Sequence, residues 1–245
     1  MLQQTPLAVA TAHTVEFIVT NTPSSATLLE IGCGRGDVAA ALQRLGYVVT
    51  GVESGDEELR IAHSKGVRVI AGEWPNVSSP STDVVLFSRS LHHMKDLAGA
   101  IDMAHRALIG PRRLLIEDFD FAAADGATVE WLVSKVGEAA ARGFLRPHVD
   151  EFATRVAAAS DPLKAWSRDH DHRLHDADRI LTSVIRRFVV DERTDVPYLF
   201  RYLVPVVIES SNSWAWLRDV FHEEQKRGET RRLKLIGRRI VARAA

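Results

Sequence analysis

Residues 28–37 read LLEIGCGRGD, and this stretch restricts the fold more than any other. An apolar run suited to a buried strand leads into a glycine-rich turn. Asp37 then opens a helix-forming run centred on Ala39 and Leu42. Gly32, Gly34 and Gly36 let the backbone take positive φ and approach a ligand closely, while the helix start offers unpaired N–H groups. The spacing is GxGxG, which differs from the dinucleotide fingerprint GxGxxG, and no GxxxxGK[ST] is present. Glu30 lies inside the strand, where a carboxylate is costly unless a basic group or a row of N–H donors answers it. A pyrophosphate would be a poor neighbour for that acid.

The pattern that follows alternates strand and helix. YVVTGV at 47–52 ends in Glu53, with Ser54 next, and an acid at this distance beyond the turn suits the two hydroxyls of a ribose. Such an acid serves nicotinamide cofactors equally well. Residues 57–64 predict a helix and 67–71 a strand, with Gly72, Glu73, Trp74 and Pro75 at its carboxyl end. DVVLF at 83–87 predicts a fourth strand, SRSLHHM at 88–94 leads into a helix over 95–108, and RRLLIE at 112–117 predicts a fifth. A helix over 125–142 comes next. Buried strands alternating with helices predict a parallel sheet covered on both faces.

Glu30, Gly32, Gly34 and Gly36 together resemble the first motif of class I S-adenosylmethionine-dependent methyltransferases. SRSLHHM resembles the fourth motif of the same class, in the subgroup that acts on small molecules and carries LHH after the strand, and Asp83 matches the acid that opens it. The resemblance implies an α/β fold: a Rossmann-like, seven-stranded, mostly parallel sheet with an antiparallel final strand and a C-terminal helical insertion. It implies S-adenosyl-L-methionine as cofactor, bound by Glu30, Cys33 and the turn glycines Gly32, Gly34 and Gly36, with the turn under its methionine part. Glu53 falls to the ribose and Glu73 and Trp74 to the adenine, with Ser54 and Ser88 as further cofactor-binding residues. Trp74 departs from the small residue usual there, which leaves a lid or substrate-pocket role open. Residues 1–245 read as one domain, with 144–185 and 196–228 as helical caps or substrate-pocket insertions. Residues 187–191 predict the sixth strand and 238–244 the seventh.

Neighbouring His92 and His93 point about 100° apart on a helix, so the two do not serve one metal ion. Packing at the helix start is one reading. The other is general-base action by a neutral imidazole, assigned to His93 with His92 on the substrate side. WSRDHDHRLHDAD at 166–178 adds His170, His172 and His175, but neither HExxH nor a cysteine cluster supports a metal. It reads as a solvated polar segment or as substrate-proximal, with His170 and His172 as substrate-binding candidates. The aromatic stretch 197–208 brings Tyr198 and Tyr202, which line a substrate pocket or pack as core.

A formal charge of −1 over 245 residues gives no field to gather nucleic acid, although 226–243 is locally basic. Cys33 is the sole cysteine, which excludes an intramolecular disulfide framework and a CxxC metal site. No long apolar run suits a membrane span and no export segment opens the chain, so a cytoplasmic location is expected. Aromatic residues over 213–226 leave burial in a homodimer open. The expected function is methyl transfer from S-adenosylmethionine to a small molecule, at oxygen. An NAD-linked oxidoreductase and a noncatalytic cofactor-binding or assembly protein are the alternatives.

Overall fold

The computed structural model describes residues 4–170 and 174–244. Seven strands form one sheet in the order β3-β2-β1-β4-β5-β7-β6. They are β1 (Thr27–Ile31), β2 (Val48–Glu53), β3 (Arg68–Ala71), β4 (Thr82–Ser88), β5 (Leu108–Phe119), β6 (Phe188–Val196) and β7 (Gly237–Ala244). The pairs β1–β2, β1–β4, β2–β3 and β4–β5 are parallel. The last strand runs the other way: Asp120 N–H, just past β5, bonds Ile236 O, whereas Glu117 on β5 meets Arg239 on β7, so numbers fall on one strand as they rise on the other. The sheet is thus the mostly parallel one with an antiparallel final strand that the resemblance implies.

Alternation along the central strands explains why helices cover both faces. Leu28 packs with Phe17 and Ile18 of α1 (Pro6–Asn21), with Ala39 and Leu42 of α2 (Asp37–Arg44) and with Ala62 of α3 (Asp56–Ser64). Leu29 and Ile31, one residue out of step, pack with Leu97, Ala100 and Ile101 of α4 (Leu97–Ala107) and with Ile180 and Val184 of α8 (Ala177–Val184). A strand buried on both sides must be apolar at nearly every position, and LLEI is so except at Glu30.

The chain forms two compact units. One comprises residues 13–118, 175–194 and 238–245 and carries most of the sheet; the other comprises 1–12, 119–174 and 195–237. The second unit contains α5 (Gly126–Ala141), α6 (Phe152–Ala158), α7 (Pro162–His170) and α9 (Ser211–Glu229) around its own core of Trp131, Leu132, Trp166, Phe200, Leu203 and Leu217. Its main segment begins at Phe119.

Several elements differ from the expectations. The sixth strand runs to Val196 rather than Asp191. Three of its five extra residues, Glu192, Arg193 and Asp195, are charged, which an edge strand tolerates because one side meets water. Residues 88–94 yield only a short 3-10 turn at Leu91–His93 before α4. The aromatic stretch 197–208 holds a 3-10 helix, Leu199–Leu203, in place of an α-helix. Pro197 and Pro205 bracket it and deny a longer helix its N–H donors. Its free N–H groups are answered instead by buried Glu224 of α9, which accepts from Tyr198, Leu199 and Phe200 at 2.7–3.0 Å.

Candidate active site

The sheet order reverses direction between β1 and β4, and open α/β sheets bind ligands at such a crevice beyond the carboxyl ends of their strands. A cavity of about 280 Å³ lies there. Gly32 lines it after β1, Val52 to Ser54 after β2, Gly72 to Trp74 after β3, and Arg89, Ser90, His93, Met94 and Lys95 after β4.

The glycine turn is held from below. The N–H groups of Gly32 and Cys33 donate to Val52 O at 2.8 and 3.1 Å. Gly32 has φ of +68°, and a Cβ there would stand 2.7 Å from the Ser90 Cβ, so only glycine lets the ends of β1 and β4 come this close. Gly36 also has positive φ, but its missing Cβ makes room for Ala62 and Val67 rather than for the cavity. Cys33 turns its sulfur toward Gly51 of β2, and burial, with Glu30 and Glu53 adding to it, pushes the thiol up to about 12. It is a packed neutral thiol.

Glu53 is the best-organised acid of the cavity. Its Oε2 accepts from Gly34 N–H at 2.8 Å, and its Oε1 accepts from Ser54 and Gly55 N–H at 2.8 and 3.0 Å. Three bonds leave acceptor capacity unused, since a carboxylate offers about four acceptor sites. A vicinal diol finds there a carboxylate already fixed in place. Glu30 sits on the α2 side of β1, fully buried, outside the cavity lining, with Oε2 lacking a hydrogen-bond partner. Burial pushes its pKa up to about 8 against the opposing pull of Arg89, so the carboxyl is protonated at neutral pH.

Glu73 and Trp74 stand side by side with opposite characters. The Glu73 carboxylate is exposed and pairs with Lys95 at 2.9 Å. Trp74 is buried, and its indole N–H donates to Ala100 O at 3.0 Å, so the ring is a fixed wall tied to α4. Ser88 ends β4 with a buried hydroxyl lacking a hydrogen-bond partner, and lies outside the lining, whereas Arg89 and Ser90 are in it.

Arg89 lies inside SRSLHHM, yet the motif assigns it no role, and it is a cavity residue. It has φ of +60°, and its Nη1 donates to Thr14 Oγ1 and to Glu117 Oε1, both at 3.1 Å. Glu117 is itself buried and gripped through Oε2 by both Nε and Nη2 of Arg239, at 2.8 and 2.6 Å. One carboxylate therefore meets two guanidiniums, leaving Arg89 as a cation at the cavity wall. Nothing in the letters SRS shows that Glu117 and Arg239 meet there.

The two histidines separate as well. His92 is buried, its Nδ1 lies 2.6 Å from Asp118 Oδ1, and it is not in the lining. His93 lines the cavity, with its ring centroid 4.0 Å from that of His92. Burial, then the neighbouring His92, lowers the His93 pKa below the ordinary histidine value, against a smaller raising effect of Asp118. Among the described residues no hydrogen bond engages its ring.

The remaining candidates belong to the other unit. Tyr198 stacks on Phe119 with centroids 4.6 Å apart, and Tyr202 contacts Phe152 and Trp166 at 4.9 and 5.3 Å, all within one aromatic cluster. His170 ends α7, and His172 lies outside the described residues. Among the described residues no group of three or more His, Cys, Asp and Glu side chains is arranged to hold a metal ion, and no helix is long and apolar enough to cross a membrane.

A family model described as "Methyltransferase domain" matches residues 4–166. No functionally curated protein matches the sequence. Among solved structures, an S-adenosylmethionine-dependent methyltransferase from Mesorhizobium loti shares 14% identity at a TM-score of 0.57, over 94% of this chain and 96% of that one. The protein PH0226 from Pyrococcus horikoshii OT3 shares 12% identity at a TM-score of 0.55, over 97% and 90%. Geranyl diphosphate C-methyltransferase from Streptomyces coelicolor A3(2) shares 14% identity at a TM-score of 0.56, over 96% and 79%. Likeness at such identity concerns the fold.

Proposed function

The chain belongs to the methyltransferase-domain family, in the S-adenosylmethionine-dependent class I, and on that footing we propose that it methylates a small molecule at a hydroxyl oxygen. The family match displaces the NAD-linked reading that Glu53 alone left open. S-Adenosylmethionine is the cofactor, and when bound it supplies an electrophilic methyl group on a good leaving group. The cavity residues fit it. Glu53 would hold the ribose hydroxyls on a carboxylate already oriented by three N–H donors, Gly32 would let the turn approach the methionine part, and Arg89 would answer its carboxylate. Trp74 would back the adenine as a fixed wall, with Glu73 and Ser54 at its polar edges. In this reading Cys33, Gly36, Ser88 and Glu30 shape the cradle from behind.

The observation that carries the choice of oxygen is His93. Its ring lines the cavity, no described group hydrogen-bonds it, and its lowered pKa leaves it neutral at pH 7, so its lone pair is open to a hydroxyl proton. Direct substitution at carbon then needs alignment and exclusion of water more than a protein nucleophile. In support of a small acceptor, one of the similar structures acts, by its name, on geranyl diphosphate, although at carbon.

The reading is tested by following transfer of labelled methyl from S-adenosylmethionine to a panel of hydroxylated, amino and carbon-acid small molecules. Turnover of hydroxyl compounds alone, lost on His93→Ala, is expected. Preference for amines or carbon acids, or an unaffected His93→Ala enzyme, overturns the oxygen assignment.

A further inference from the structure

His175 has no part in those roles, although it sits immediately before the Asp176 cap of α8 and against the Leu91–His93 turn. Its backbone N–H donates to His92 O at 3.0 Å, and its Nε2 lies 2.8 Å from Met94 O. A carbonyl only accepts, so Nε2 carries a proton and donates it to Met94 O. The other ring nitrogen, Nδ1, is buried without a hydrogen-bond partner. An unpaired buried ring nitrogen is a penalty that an apolar residue would avoid, and the bond to Met94 O is the favourable contact that offsets it.

The two bonds of His175 end on the carbonyls of His92 and Met94, the residues on either side of His93. From the opposite side Asp118, at the end of β5, accepts from His92 N–H through Oδ2 at 3.2 Å and holds His92 Nδ1 through Oδ1. His175 thus holds the peptide just before His93 through its N–H and the peptide just after Met94 through its ring, and Met94 N–H closes the turn on Leu91 O at 3.1 Å, while the His93 ring itself is held by no hydrogen bond among the described residues. We propose that His175 is the positioning residue for His93, fixing the turn through the carbonyls of His92 and Met94 so that the ring faces the cavity. The inference rests on the reading of His93 as the base. The titratable groups facing His93 are His92 on the same turn and Asp118 on β5.

Two variants separate positioning from bulk stability. His175→Gln keeps an N–H donor where Nε2 stood; His175→Asn is polar but too short to reach Met94 O. The readouts are the titration of the His93 ring proton by NMR, with the signal assigned by its loss in His93→Gln, and affinity for S-adenosylhomocysteine by calorimetry. In His175→Asn the His93 midpoint should rise measurably toward the ordinary histidine value as the turn opens to water. Affinity for S-adenosylhomocysteine should stay within about threefold, since the cofactor contacts lie elsewhere in the cavity. His175→Gln should restore the wild-type titration. An unchanged His93 titration in folded His175→Asn, or failure of His175→Gln to restore it, overturns the proposal. If His93→Ala turns over normally, the base reading fails by itself, and the NMR titration still decides whether His175 holds the turn.

Discussion

Among single residues, two buried acids give the protein a pH dependence opposite to that of most carboxylates. Burial raises Glu30 to about 8 and Glu224 to about 7 from an ordinary 4.5. Between 4.5 and those raised values the folded chain holds protons that the unfolded chain has released. The stability these groups contribute is therefore fully present below about 4.5, declines as pH rises from there, and is gone once pH passes 7 and 8. A tenfold difference in proton affinity between the folded and unfolded chain corresponds to about 1.4 kcal/mol. In Glu30→Gln, which stays neutral, the melting temperature should decline less steeply than in wild type between pH 5 and 8.5; parallel curves would contradict the burial argument. Glu53 makes a different prediction. Hydrogen bonds to a charged group contribute about 1.5–3 kcal/mol, so Glu53→Ala should weaken S-adenosylhomocysteine binding by roughly tenfold to a hundredfold in calorimetry. For His93 the sign runs the usual way for a base. The rate should climb with pH through a midpoint below the ordinary histidine value and then level off; a midpoint near that of an amine acceptor would point to nitrogen instead.

Among the strands and helices, the central strands are legible in the sequence because doubly covered strands are mostly apolar and are bounded by turn residues. LLEI, VVTGVE and TDVVLFS each declare themselves without knowledge of their neighbours. The 3-10 helix at Leu199–Leu203 is not legible. Its N–H groups are answered by Glu224, about 25 residues away in sequence, and no local pattern announces such a cap. Glu224→Ala should therefore strand three buried donors and cost about 3 kcal/mol or more, seen as a lower denaturant midpoint. A neutral Gln, which still accepts, should cost less. The letters at Leu91–His93 likewise suit the start of a longer helix. The turn is instead held by Asp118 and His175, which lie far off in the sequence.

For the molecule taken whole, the family assignment predicts linkage between cofactor and stability. A ligand that binds only the folded state at a hundredfold excess over its Kd stabilises by about 2.7 kcal/mol. S-Adenosylmethionine and S-adenosylhomocysteine should both raise the melting temperature, and NAD at equal concentration should not. The reverse result would return the cavity to the nicotinamide reading.

The succession of strands and helices, the glycine turn, the acids Glu30 and Glu53, and the family whose motifs they match can all be read from the amino-acid order without coordinates. These are local features, since periodicity and turn chemistry act over a few residues. Which side chains share the cavity was settled by the packing of distant segments. Arg89 is placed by Glu117 and Arg239 from β5 and β7, Trp74 is fixed by a carbonyl of α4, and of two adjacent histidines one is buried on Asp118 while the other faces the cavity. Long-range pairing of this kind is set by how strand ends meet, and LLEIGCGRGD carries no record of what closes over its turn.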